Sequence, residues 1–65
     1  MPTVMELRVG EIVTKEMWLH EAEDAVAADL KIPMVQAVHL VQFAIRSGVL
    51  RTSGNGGKVR PGSGS

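Results

Sequence analysis

Seven side chains in the second half of the chain are of types that bind rather than react. Gln36, His39, Gln42 and Arg46 fall within one stretch, and Arg51, Lys58 and Arg60 within the next. Carboxamides and imidazole both donate and accept hydrogen bonds, while guanidinium and ammonium groups only donate and favour anions. Chemistry of other kinds has little to build on. His20 lies near Glu21, Glu23 and Asp24, but on a helix only the i+3 and i+4 neighbours share its face, so the acids read as solvation of a helix start and no metal site is expected. The run from Gly54 to Lys58 approaches a phosphate-binding loop, yet Val59 stands where a hydroxyl is needed and Thr52 where a glycine is needed. Cysteine and tyrosine are missing, the serines are confined to Ser47 and the glycine-rich end, and the two histidines are far apart. No nucleophile, base and orienting group can be grouped, so neither catalysis nor a cofactor is expected.

The elements that must carry these side chains are legible to different degrees. Thr3 and Glu6 have the spacing of a capping box, and Met5, Val9, Ile12, Val13 and Met17 fall on one helical face. This predicts a first helix over residues 4–17 with Glu11 and Lys15 paired along it. Met5, Leu7 and Val9 also alternate with Glu6 and Arg8 as in a strand, and Gly10 weakens a helix by about 1 kcal/mol. Residues 18–20 form a joint. A second helix is expected over 21–30, with Glu21, Glu23 and Asp24 in its positive first turn and Ala22, Ala25, Val26 and Leu30 buried. Pro33 should open a third helix over 34–46, with Ala37, Val41 and Ala44 inward and an end at Gly48. Residues 49–52 and 58–60 read as strands around an Asn-Gly turn, and Pro61 should stop the ladder.

Sixty-five residues make one small domain, which buries only about 60% of the surface its unfolded chain exposes. Trp18 is read as core, and Phe43 as completing the core against the first helix. No run is long and apolar enough for a membrane span, and the start is not that of a signal peptide, so a cytoplasmic or nucleoid-associated protein is expected. The net charge of zero conceals a split. Residues 1–30 carry two cations against seven acids, a net of −5, and residues 31–65 carry five cations and no acid. The basic end could face a polyanion, or the two halves could attract each other within the fold.

Val26-Ala27, Leu30-Lys31-Ile32, Ala37, Val41, Ala44 and Gly48-Val49-Leu50 together resemble the winged helix-turn-helix superfamily. Its helix pair reads apolar-Ala, two variable residues, Leu-Gly-Ile or Val, then apolar positions and a Gly-apolar-apolar exit into a wing. The resemblance covers residues 21–60. It implies a mainly α domain of three helices with a small β-hairpin, spanning 1–60, and the Gly/Ser composition that follows reads as a disordered tail at 61–65. Lys31 departs from the turn glycine, which suits a turn that avoids positive φ, and Ala37 is smaller than the usual aliphatic.

The resemblance further implies a DNA-binding regulator or accessory factor that acts on duplex DNA, as a homodimer or with a larger protein. Gln36, His39 and Gln42 would meet base edges, Arg46 a base or phosphate, and Arg51, Lys58 and Arg60 phosphates from the wing. Glutamines on a helix are also often simply solvated. Val35 and Phe43 offer the contrasting reading, an apolar contact to a second copy or a protein partner, with the same fold serving as an interaction module.

Overall fold

The computed structural model describes residues 3–54 and 57–62. Helix α1 spans Val4–Ile12, and its start is the expected capping box. The Glu6 amide donates to Thr3 Oγ1 at 3.2 Å, and the Thr3 amide donates to Glu6 Oε2 at 3.2 Å. That backbone donor, with the Ser47 hydroxyl adding to it, holds the Glu6 carboxyl below the usual carboxylate range. The helix is shorter than the 4–17 expected. Val13 turns to extended backbone, and Met17–Trp18 form strand β1, with Met17 opposite Val59 and Trp18 opposite Lys58. Lys15 therefore leaves the helix, and Glu11 meets Arg8 instead, at 3.8 Å on an exposed face where such a pair contributes little.

Helix α2 spans Leu19–Leu30, beginning two residues before the expected start because the Trp18 amide is already held by Glu21 Oε1 at 3.4 Å. It ends at Lys31 with φ 56° and ψ 48°, and the Ile32 amide reaches back to the Ala27 carbonyl at 3.1 Å. The turn thus takes the left-handed conformation that the absence of glycine argued against. A side chain there costs about 1–2 kcal/mol, part of which a glycine would give back as unfolded-chain entropy. Lys31→Gly is expected to raise the melting temperature by roughly 3–6 °C in a circular-dichroism melt. A fall would show that the lysine side chain holds the turn.

Helix α3 spans Met34–Ser47, with Pro33 just outside it as the cap rather than as its first residue, accepting from the amides of Gln36 and Ala37. It stops at Gly48, whose φ of 88° suits glycine. Ala37, Val41 and Ala44 are fully buried, as their spacing predicts, facing Ala22 and Val26 of α2 and Val9 of α1 in one core. Strands β2 (Leu50–Ser53) and β3 (Lys58–Pro61) are antiparallel, and β3 lies between β2 and β1 in a three-stranded sheet.

Strand β3 ends at Pro61, where the ladder was expected to stop, and Pro61 itself still pairs with Leu50 as the last residue of the strand. β1 reaches only to Val59, so Pro61 has a strand on one side alone, a position proline tolerates. The Gly62 amide then donates to the Val49 carbonyl at 2.9 Å, and a Cβ on Gly62 would run into the Gly48 carbonyl. Residues 61 and 62, both placed in the expected disordered tail, are tied to the domain, and residues 63–65 lie outside the described part.

Gly10 is likewise a packing residue. A Cβ there would stand 2.8 Å from Val49 Cγ1, so the glycine lets α1 cross close over the entry to β2. The core holds only valine, alanine and leucine. Trp18 and Phe43, both expected inside, are each 50% exposed. No helix of the described residues is long and apolar enough to cross a membrane.

Candidate nucleic-acid interface

Because α3 buries Ala37, Val41 and Ala44, its opposite side must carry the residues half a turn away. Val35, His39, Gln42 and Arg46 form that outer row, flanked by Gln36 and Phe43, and all six are exposed. The row is mixed, with one cation, three hydrogen-bonding side chains and two apolar ones. Val35 is 64% exposed, so apolar surface is a real part of this face.

Ile45 connects the helix to the hairpin. With Leu19, Gln42 and Arg46 it lines a shallow hollow of about 240 Å³, and with Gly48, Leu50, Arg51 and Thr52 it lines another of about 370 Å³. The outer row of α3 therefore passes into the base of β2 without an intervening element.

Alternation along the strands sorts the sheet into two faces. Leu50, Val59 and Met17 point toward the helices, and the outer face carries the residues between them. Register then brings Arg51 directly opposite Arg60, and Lys58 opposite both Ser53 and Trp18. Like charges facing each other across an antiparallel pair are destabilising. The described residues make three ion pairs, and none of them engages Arg46, Arg51 or Arg60. Two arginines side by side without a carboxylate partner form a local positive field at the protein surface.

Lys58, grouped with them by sequence, has different surroundings. Its Nζ lies 3.9 Å from Glu16 Oε2 and 4.7 Å from the centre of the Trp18 ring. Glu16–Lys58 is also the one described ion pair joining the acidic first half to the basic second half. Arg8–Glu11 and Arg8–Asp29, the latter at 3.6 Å, both lie within the first. Attraction between the halves thus accounts for little of the charge split, and most of the basic charge stays at the surface.

Comparison of the chain with family models, with curated proteins and with solved structures gives no match.

Among the described residues no three side chains are grouped to hold a metal, and the acids near His20 form no such set. The glycine-rich turn has its tip, residues 55–56, outside the described part. Two residues around Lys58, apart from the arginine pair and the outer row of α3, were missed by sequence reasoning, Trp18 and Ser53. The signal for Trp18 is the in–out alternation of Met17 and Trp18, too short at two residues to stand out from a helix.

Proposed function

We propose that this protein binds duplex DNA, with α3 against base edges and the β2–β3 hairpin against the phosphates, as a small winged-helix regulator or accessory factor. The carrying observation is the pairing of Arg51 with Arg60 on an exposed strand pair, adjoining a helix face that presents Gln36, His39, Gln42 and Arg46. An arrangement that costs stability in the free protein is repaid when phosphates supply the missing counter-charge. The element order, with three helices interleaved with a sheet ordered β1-β3-β2, is consistent with the superfamily resemblance. One module of this size buries modest surface, so pairing of two copies on DNA belongs to the proposal.

Exposure of Val35 and Phe43 on α3 favours a second reading, in which the same face meets a protein. Salt dependence separates the two. If Arg46, Arg51 and Arg60 each neutralise one phosphate, anisotropy titrations of labelled duplex should give a slope of log K against log salt of about −3 per protomer. Arg51→Ala should reduce its magnitude by about 1. Absence of binding at low salt would remove the DNA reading and leave the protein-contact reading.

A further inference from the structure

Trp18 is the single tryptophan of the chain and stands half exposed on the outer face of the sheet. It shares a notch of about 290 Å³ with Glu16, Ser53, Gly54, Gly57 and Lys58. The notch is small for a whole drug-sized ligand and fits a flat group of a few rings at most. Gly57 keeps the ring edge open, since a Cβ there would stand 3.5 Å from Trp18 Cζ3. Lys58 caps the ring from 4.7 Å, and Glu16 holds that ammonium through a contact of 3.9 Å, long enough to leave the carboxylate able to accept other hydrogen bonds.

Arg60 lies two residues beyond Lys58 on β3 and shares its face, about 7 Å away along the strand, with Arg51 beside it. An aromatic ring with acceptors at one end and paired guanidinium groups at the other matches the polarity of one nucleotide. The base can stack on Trp18 by displacing the flexible Lys58 ammonium from over the ring, its exocyclic amino group can donate to Glu16, and its phosphate can lie on Arg60 and Arg51. The carboxylate repels phosphate and so fixes the direction.

Resting on the nucleic-acid reading above, we propose that this notch holds one unpaired base of a DNA strand, so that the protein prefers a duplex with a single-stranded end to a blunt one. Bases bearing an exocyclic amino group, such as cytosine, are preferred to thymine. This is a second recognition surface, separate from the outer row of α3.

Because Trp18 is the only tryptophan, its fluorescence reports the notch directly. The full chain is titrated with a blunt hairpin duplex and with the same hairpin carrying a two-cytosine or two-thymine overhang. The expected result is tryptophan quenching and about tenfold tighter binding with the cytosine overhang. The quenching and preference should be weaker with thymine, and Glu16→Gln should narrow that gap. Trp18→Ala should bring the overhang affinity down to the blunt value while leaving blunt binding intact, which a folding defect would not do. Equal affinity for blunt and overhanging duplex without quenching overturns the notch and leaves the duplex reading standing. Overhang binding with quenching but no blunt binding supports the notch and ends the duplex reading. Binding of neither overturns both.

Discussion

Replacing Leu50 with alanine is expected to cost the domain about 2–5 kcal/mol. Leu50 is the largest fully buried side chain, and it joins β2 to the core directly after the Gly48 exit from α3. A domain of this length has a total stability of roughly 3–10 kcal/mol, so the truncation removes a large share of it. The neighbours cannot collapse freely into the gap, because Pro61 opposite Leu50 is rigid and Gly62 is closed against the Gly48 carbonyl. Urea denaturation followed by circular dichroism checks this. The midpoint should fall strongly with little change in slope. A loss below about 1 kcal/mol would show that the hairpin is peripheral to the core, and its arginines would then lack a fixed position.

The second large effect is a separation of stability from binding at Arg60. Arg60→Glu turns the like-charge pair with Arg51 into an opposite-charge cross-strand pair, which should stabilise the hairpin by about 0.2–1 kcal/mol. The same change removes one phosphate contact and occupies Arg51 with the new carboxylate, removing a second. Losing two contacts reduces the salt slope by about 1.8, which over the decades between ~50 mM and 1 M salt amounts to roughly 10²-fold weaker binding at the lower salt. Melting temperature should therefore rise while affinity falls. A variant that loses both would place Arg60 among the structural residues, and one that loses neither would remove the hairpin from the interface.

The elements with local determinants were legible in the sequence. Thr3 and Glu6 sit one turn apart and cap α1 as their spacing requires, and Ala37, Val41 and Ala44 set the inner side of α3. What depended on partners distant in sequence was not. β1 exists because Met17 and Trp18 pair with residues forty or more positions later, and two residues carry no periodic signal of their own. The exposure of Trp18 follows from strand alternation, which turns Met17 toward the helices and Trp18 away, and that of Phe43 from α3 turning Ala37, Val41 and Ala44 inward. Lys31 misled for a different reason. Closing α2 through the Ile32 amide demands a left-handed residue, and the chain meets that demand without glycine.

For the candidate site, Gln36, His39, Gln42 and Arg46 of α3 could be placed from helical spacing alone, and all four are at the surface as expected. The hairpin cations could not be ranked, because their neighbours depend on register. Register sets Arg51 against Arg60 and sends Lys58 to Trp18 and Glu16, so three residues of similar type occupy two different environments.

The most direct measurement is a nitrogen–proton chemical-shift titration of the full chain with duplex DNA at low salt. The proposal predicts shifts along the outer row of α3 from Val35 to Arg46 and along β2 and β3 at Arg51, Thr52 and Arg60. The amides of the acidic elements α1 and α2 should stay in place. Shifts centred on α1 and α2, or none at all at millimolar duplex, would contradict it.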